Sequence, residues 1–331
     1  MKVLKETLII LLAAMVISLM LPVFNAGNVF AASKVRLNKT SLLMSAGDTY
    51  KLKLSGTSKK VTWHTKSKSV VTVSSHGRLK AKKAGYTTVY AKAGTKKYNC
   101  KVYIGKTIID NSYVTIAYLN TGMEYLSKAK VHYGTSYFAV KNKYKSNIEC
   151  TPTCIAFDGL SMQLDDLNDV KVKPGNVGLM YMGVYDLKSS RHQKMSTMFA
   201  FVTDDYSSMQ RLTATDTVIG TNAVTEFTEP EGSAILDNDS FKLTYVRYDK
   251  NDGAIFYLTN KTDKYVNFNF GDTKVNGVKY ADSGQDYDVY FAPGTSGYYS
   301  YACSVTDKKL ESLKGSVIFN DNVYAIEKTL Q

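Results

Sequence analysis

Alternation of apolar and polar residues is the dominant pattern along this chain. From Tyr50 to Leu54, apolar side chains occupy every second position and lysines fill the positions between them. The same alternation returns from Tyr98 to Ile104 and from Val266 to Phe270. Successive side chains of a β-strand point to opposite faces, so this pattern predicts half-buried strands.

Turn residues punctuate these strands at short intervals. In the first third of the chain they are Gly47-Asp48, Ser55-Gly56, His76-Gly77, Ala84-Gly85 and Ala93-Gly94. Many short strands with regular turns predict a β-sandwich. Two short helices are predicted farther along, at Asp186 to Met195 and at Thr306 to Leu313, the second beginning at a Thr-Asp cap.

The second half of the chain contains an internal duplication. Phe138 returns as Phe256 and Asp158-Gly159 returns as Asn276-Gly277, an offset of 118 in each case (256 − 138 and 276 − 158), whereas Pro174-Gly175 returns as Pro293-Gly294 at an offset of 119. The repeated residues belong to strands and tight turns, so what repeats is a fold. We expect two superposable sandwiches, with the Gly pairs at matching hairpin tips and both phenylalanines buried.

The first 31 residues are typical of a secretory signal. Lys2 and Lys5 precede an apolar run, and Val29-Phe30-Ala31 offers small residues for cleavage. A membrane anchor is the alternative, but the run from Leu8 to Leu21 is shorter than the roughly 20 residues that span a bilayer. We therefore expect a secreted, extracellular protein without a transmembrane anchor, associated with the cell wall.

The predicted fold class is all-β, with tandem immunoglobulin-like β-sandwiches. The predicted organisation is a signal peptide at 1–31, a small domain at 33–105, repeat copy 1 at 108–212, a linker at 213–233 and repeat copy 2 at 234–331.

The small domain carries a family resemblance. Five segments in order resemble the bacterial immunoglobulin-like domain, group 2: Leu37–Ser41, Gly47–Thr49, Val61–Trp63, Val70–Val73 and Gly77–Val89. The chain departs from that family after Trp63, where His64–Lys68 replaces a Ser/Asn/Pro-rich turn. The resemblance implies an Ig-like sandwich of bacterial surface proteins and adhesins, used as a spacer or binding module without catalysis. The duplicated half resembles uncharacterised extracellular domains of Gram-positive bacteria, which have no assigned activity.

Charge separates the small domain from the rest of the chain. Between Ser33 and Gly105 there are seventeen Lys or Arg and one acid, Asp48. This segment therefore has a net charge of +16, whereas the whole chain has +13. The signal contributes +1, which leaves −4 for the remainder (13 − 16 − 1). A charge imbalance of this size is informative about binding partners, so we expect the small domain to bind an anionic wall polymer or polysaccharide. The candidate ligand-binding residues are Lys51, Lys53, Lys59, Lys60, Lys66, Lys68, Arg78, Lys80, Lys82, Lys83, Lys96 and Lys97.

Reactive residues do not form a recognisable catalytic or metal motif. The four histidines are scattered and none has the spacing of a zinc site. The acidic stretches Asp249–Gly253 and Leu236–Asp239 suggest calcium, but they fit ordinary turn chemistry better. We therefore expect no enzyme, no cofactor and no metal.

The four cysteines are too few for a disulfide scaffold. Cys150 and Cys154 could be bridged across Pro152, but in a continuous strand they would lie about 13 Å apart, so a disulfide is not favoured. Cys100 and Cys303 lie on apolar alternations and are expected to be buried.

The function that this pattern favours is a non-catalytic surface protein that binds or adheres through its basic domain. A protein partner could dock on the Tyr-rich second copy, at Tyr287, Tyr290, Tyr298, Tyr299 and Tyr301; nucleic acid is not expected. One alternative is a purely structural spacer, which a uniform spread of lysines would favour over a one-sided patch. Another is an accessory module of a secreted enzyme.

Overall fold

The computed structural model describes residues 34–127, 131–185, 187, 191–221, 228–250, 252–279, 289–303 and 309–330. The predicted signal peptide lies outside these residues. The described residues form strands, turns and bends without a helix, which confirms the all-β prediction. Within the same ranges, the chain has no helix that is long and apolar enough to cross a membrane.

The first domain is a small sandwich of nine strands. Their bounds are β1 Arg36–Leu37, β2 Ser41–Met44, β3 Thr49–Lys51, β4 Leu54–Ser55, β5 Val61–Thr65, β6 Val71–Val73, β7 Arg78–Ala81, β8 Gly85–Ala93 and β9 Lys96–Ile104. One sheet has the order β2-β9-β8-β5, and the facing sheet has the order β3-β7-β6, while β1 pairs with β4. Alternate residues such as Leu79, Val89 and Cys100 fill the space between the sheets and are fully buried.

Trp63 packs against this core from strand β5. Its indole ring lies over the backbone of Gly77, where an added Cβ would come within 2.7 Å of the ring. Gly77 also has a φ of +79°, which favours glycine. The only tryptophan is therefore a packing residue, and the turn at Gly77 is shaped to receive it.

The described residues of copy 1 form a two-sheet sandwich of ten strands. Their bounds are β10 Lys106–Asp110, β11 Val114–Leu126, β12 Val131–Asn142, β13 Ile148–Phe157, β14 Leu160–Ser161, β15 Leu164–Asn168, β16 Val170–Val172, β17 Val177–Tyr185, β18 Lys194–Thr203 and β19 Met209–Val218. The front sheet is β10-β11-β12-β17-β15, and the back sheet is built on β13, which pairs with β14, β16 and β18, while β19 pairs with β18.

Copy 2 repeats this plan, with ten strands in the part of it that the structure describes. Their bounds are β20 Ser233–Asp237, β21 Phe241–Asp249, β22 Gly253–Asn260, β23 Val266–Phe270, β24 Lys274–Val275, β25 Val278–Lys279, β26 Val289–Phe291, β27 Ser296–Tyr301, β28 Ser312–Phe319 and β29 Asn322–Thr329. The front sheet is β20-β21-β22-β27, and in the back sheet β23 pairs with β26 and β28, while β28 also pairs with β24 and β29.

Two of the equivalences expected between the copies are found in the structure, whereas the superposition of the two sandwiches stays a prediction. Phe138 on β12 and Phe256 on β22 are both fully buried. Asp158-Gly159 joins β13 to β14, and Asn276-Gly277 joins β24 to β25, each as a two-residue hairpin turn. Asp158 and Asn276 both have a φ of 51°.

The two predicted helices are wrong in the residues that the structure describes. At the end of Asp186 to Met195, β18 begins at Lys194, which pairs with Val218. At the end of Thr306 to Leu313, β28 begins at Ser312, which pairs with Thr329. Both segments meet a neighbouring strand that is distant in sequence, and those ladder hydrogen bonds replace the local ones of a helix. Residues 186, 188–190 and 304–308 lie outside the described residues.

Strand positions differ from the predicted domain bounds at two places. β10 begins at Lys106, before the predicted start at 108, and β19 continues to Val218, beyond the predicted end at 212. The extension of β19 follows from its pairing with β18 along its whole length. The segment between Val218 and Ser233 is therefore shorter than the predicted linker at 213–233.

A buried asparagine closes the sandwich of copy 1. Asn142 is fully buried at the end of β12. Its Nδ2 donates to the carbonyl oxygens of Ser146 and Val172, each at 2.8 Å, and its Oδ1 accepts from the amide of Tyr144 at 2.7 Å. One side chain thus ties the front sheet to the β12–β13 loop and to β16 of the back sheet.

Copy 2 contains the same network. Asn260 is fully buried at the end of β22. Its Nδ2 donates to the carbonyl oxygens of Lys264 at 2.8 Å and Ala292 at 2.9 Å, and its Oδ1 accepts from the amide of Thr262 at 2.9 Å. Buried amides are stable only when their hydrogen bonds are made, so the repeat preserves this network together with its core.

The two copies are joined through one continuous sheet. Leu160 on β14 pairs with Ser296 on β27, which links the back sheet of copy 1 to the front sheet of copy 2. Beside this pair, the buried hydroxyls of Ser161 and Thr295 lie 2.6 Å apart. Tyr265 of copy 2 also donates to the carbonyl oxygen of Ala214 in copy 1, at 2.9 Å.

The first domain docks on copy 1 at an equivalent place. The amide of Val177, at the start of β17, donates to Ser41 Oγ of the first domain at 2.8 Å. The amide of Ser296, at the start of β27, donates to the carbonyl oxygen of Gly159 at 3.0 Å. Val177 and Ser296 are 119 positions apart (296 − 177). Each sandwich of the repeat therefore contacts its predecessor with the same backbone group.

The four cysteines are free and buried. Burial raises the pKa of Cys100, Cys150 and Cys154 to about 12, and it also raises the pKa of Cys303. Cys150 lies opposite Phe201, and Cys154 lies opposite Met198 after a register shift in β13. The disulfide between Cys150 and Cys154 is thus absent from this structure.

The asparagine network predicts a large stability loss on truncation. We expect Asn260→Ala to lower the free energy of unfolding by about 2–4 kcal/mol, because the buried carbonyls lose their donor. Asn142→Ala should act similarly in copy 1. The measurement is denaturant unfolding, with Asn99→Ala, an exposed position on β9, as the control. Equal effects at the buried and exposed positions would contradict the role of the network.

The buried thiols predict slow alkylation of the folded protein. Only a thiolate reacts with iodoacetamide, and a pKa of about 12 leaves very little thiolate at pH 8. Counting labels by mass spectrometry should give almost none on the native protein. All four cysteines should be labelled after denaturation without reductant. Labelling of only Cys100 and Cys303 in that sample would reveal a Cys150–Cys154 bridge.

Candidate ligand-binding surface of the first domain

All twelve candidate basic residues are exposed, but they form three groups on different sides of the first domain. The first group belongs to the outer face of the three-stranded sheet and the residues that follow β3. Lys51 and Arg78 are direct cross-strand neighbours there, and Lys80 lies opposite both Thr49 and Thr72. Its members are Lys51, Lys53, Arg78 and Lys80.

The second group lies at the end of the domain that is remote from copy 1. The β8–β9 turn is at this end, and a Cβ added at Gly94 of the turn would lie 3.4 Å from Lys59 Nζ. The β4–β5 connection and this turn therefore place their lysines together. The members are Lys59, Lys60, Lys96 and Lys97.

The third group lies in connections at the opposite end. Lys66 donates its amide to Thr88, and Lys82 donates its amide to Val70. The members are Lys66, Lys68, Lys82 and Lys83. The twelve residues thus do not form the single one-sided patch that would by itself favour binding over a spacer.

The structure reveals a different basic surface, on the outer face of the four-stranded sheet. Cross-strand pairing aligns three rows, and we call these residues the lysine–tyrosine face. The rows are Thr62, Lys92 and Lys97; His64, Tyr90 and Asn99; and Thr88 and Lys101.

Tyr90 occupies the centre of the lysine–tyrosine face. Its ring stacks on His64, with 5.0 Å between ring centroids, and Lys97 Nζ lies 5.2 Å from the centroid of the same ring. Lys92 and Lys97 are directly opposite each other. Of this face, only Lys97 is among the sequence candidates. Alternation shows which residues share a face within one strand, whereas this cluster depends on which strands are neighbours.

Positive charge in the first domain is not neutralised internally. The ion pairs among the described residues all lie between residues 110 and 327. Asp48, the one acid of the domain, accepts a hydrogen bond from the amide of Ser45, beside copy 1. A shallow pocket of about 150 Å³ separates Asp48 from Lys141 of copy 1.

The remaining candidate chemistry is structural. His192 and Asp158 form a buried pair with 3.1 Å between Nδ1 and Oδ2. Asp158 Oδ1 also accepts from the amides of Gln193 and Lys194. In copy 2, Asn276 Oδ1 makes the equivalent two bonds. Because the neutral amide of Asn276 accepts the same two bonds, the His192–Asp158 pair is explained by its role in holding the turn.

Metal-binding groups are also not found in the described part of the chain, where no three His, Cys, Asp or Glu residues cluster suitably. In the candidate calcium stretches, Asp237 instead pairs with Lys261, and Asp249 pairs with Gly253 across a hairpin. Lys261 also lowers the pKa of Asp237 by a hydrogen bond.

The tyrosines of copy 2 divide between packing and exposure. Tyr299 is buried, Tyr301 packs on Phe270, and Tyr290 contacts Arg211 across the junction of the two copies. Tyr298 is 43% exposed. Tyr287 lies outside the described residues. The predicted protein-binding cluster is therefore mostly core and junction.

Comparison with solved structures gives low-scoring similarities. Domains 5–6 of the S-layer protein SbsC are 13% identical, with 57% of this chain and 98% of that chain covered and a TM-score of 0.21. Domains 4 and 5 of SbsC are 12% identical, with coverages of 55% and 97% and a TM-score of 0.19. The YadV chaperone is 15% identical, with coverages of 59% and 90% and a TM-score of 0.20. Scores at this level say nothing about function.

Comparison of sequences is informative for the first domain. No curated protein matches the chain. Residues 31–102 match the family model of the bacterial Ig-like domain, group 2. A domain of this family suggests an extracellular or surface protein. The resemblance that its five segments show is thus confirmed: the chain carries a bacterial Ig-like domain, group 2, at residues 31–102.

Proposed function

We propose that this protein is an exported, non-catalytic surface protein whose basic Ig-like domain holds it to anionic polymers of a cell wall. The observation that carries the proposal is the uncompensated charge of that domain. Seventeen basic residues face one acid, and the ion pairs of the described residues lie elsewhere in the chain. A field of several kT should extend from such a domain into solvent.

The domain order supports this arrangement. The basic domain is followed by two sandwiches whose carboxylates pair with lysines of the same sandwich, as in Lys143–Asp110 and Lys261–Asp237. These pairs are exposed and contribute little stability, but the repeat as a whole has a net charge of only −4. Attraction to an anionic polymer therefore concentrates on the first domain, and the repeat extends away from it.

A structural spacer is the second candidate function. The distribution of the twelve candidate lysines over three sides of the domain favours it, as do the direct hydrogen bonds at both domain junctions. A spacer needs stiffness between its ends and solubility along its surface. It needs no affinity for a wall, and that difference separates the two functions.

The binding proposal predicts a strong dependence on salt. Residues 32–331 should sediment with purified bacterial cell walls at 0.1 M salt and dissociate by 1 M, because the Debye length falls from about 10 Å to about 3 Å. Released counterions steepen this dependence.

The matched control is wall material from which acid treatment has removed the anionic polymers, and binding to it should be weak at every salt concentration. Binding that is absent at 0.1 M, or unchanged at 1 M, contradicts electrostatic attachment and favours the spacer.

A further inference from the structure

We propose that the lysine–tyrosine face binds an anionic polysaccharide, with lysines contacting its acid groups and the aromatic centre contacting its sugar rings. This inference rests on the proposed function and assigns it a place and a ligand class. It selects one surface from a domain in which basic residues occur on every side.

The arrangement of charge on this face favours an extended polyanion. Lys97 and Lys101 lie on one strand four residues apart, which corresponds to about 14 Å between positions on the same face. Lys92 lies directly opposite Lys97. Like charges at directly opposed positions repel each other, so an anion bound between them relieves a repulsion within the sheet.

The groups between the lysines match the chemistry of a sugar. Thr62, Thr88 and Asn99 present two hydroxyls and an amide on the same face. Tyr90 and His64 present aromatic rings with polar tips at its centre. A polysaccharide with acid groups combines apolar ring faces, hydroxyls and negative charge. The aromatic rings would contact the ring faces, the hydroxyls and amide would bind the sugar hydroxyls, and the lysines would pair with the acid groups.

The face ends in a second aromatic group where copy 1 begins. Tyr86, on the same side of β8, is 46% exposed. Its ring centroid lies 5.6 Å from that of Tyr137 in copy 1, and Tyr137 lies 6.2 Å from Tyr181. A row of aromatic rings thus continues from the first domain onto the second, where Tyr137 and Tyr181 are half-buried.

The other basic groups lack this combination. Lys51 donates its ammonium to the carbonyl oxygen of His76. Lys68, Lys82 and Lys83 lie in the β5–β6 and β7–β8 connections, outside the four strands that form the lysine–tyrosine face. These three lysines are exposed and carry the same charge as Lys92, Lys97 and Lys101, so they provide a charge-matched control.

The first test compares two triple variants of residues 32–331. One is Lys92→Gln/Lys97→Gln/Lys101→Gln, and the other is Lys68→Gln/Lys82→Gln/Lys83→Gln. The probe is sodium polygalacturonate at 0.05 M salt, with dextran as the uncharged comparison. We expect the first variant to weaken binding about tenfold or more and the second to weaken it less than about threefold. Equal losses overturn the assignment to this face.

The second test separates sugar recognition from attraction to charge. Tyr90→Leu should weaken polygalacturonate binding about threefold or more and leave the affinity for inorganic polyphosphate unchanged. Tyr125→Leu is the matched control, since Tyr125 is also exposed and contacts a histidine, His132, but on copy 1. Circular dichroism and melting temperature show that each variant is folded.

The outcomes distinguish the two proposals. If the unmodified protein binds neither the probes nor cell walls at low salt, the proposed function itself fails. If it binds but the two triple variants behave alike, only the assignment to this face fails. If polyphosphate and polygalacturonate respond equally to Tyr90→Leu, the ligand is a bare polyanion and the sugar class is wrong.

Discussion

A buried side-chain amide determines how the two sheets of each repeated sandwich meet. Apolar residues alone can fill the space between sheets in many registers, because hydrophobic contact has no direction. The amides of Asn142 and Asn260 accept only one arrangement, in which the end of a front strand, the following loop and a back strand meet at fixed atoms. In both copies, a fully buried phenylalanine lies four residues before the asparagine on the same front strand.

Much of the fold could be predicted from the sequence because strands and tight turns depend on local residue patterns. The period-two pattern predicted strands, and Asp158-Gly159 and Asn276-Gly277 predicted hairpins, since both features depend on neighbouring residues alone. The helices failed for the opposite reason. Ser312 and Leu313 lie in a segment with good helical pattern, but their partners are Thr329 and Lys328 on the last strand. The pairing of distant segments is not encoded in a local period.

The same limit applies to the functional surface. Alternation correctly placed Lys51 and Lys53 on the exposed side of their segment, yet it could not show that His64, Tyr90 and Lys97 come from three adjacent strands. The sequence therefore established the charge of the domain and the exposure of its lysines. It could not establish which of them act together, because that depends on the strand order β2-β9-β8-β5.

The docking of each repeated sandwich through the first amide of β17 or β27 bears on how such a chain can evolve. The residue at this position is Val177 in one copy and Ser296 in the other, and the hydrogen bond persists because its donor belongs to the main chain. Every residue except proline supplies that donor. Gene duplication would thus transmit the docking position intact while the side chains diverge, and only the preceding unit must offer an oxygen. A polypeptide built in this way can lengthen by whole domains without evolving a new contact between them.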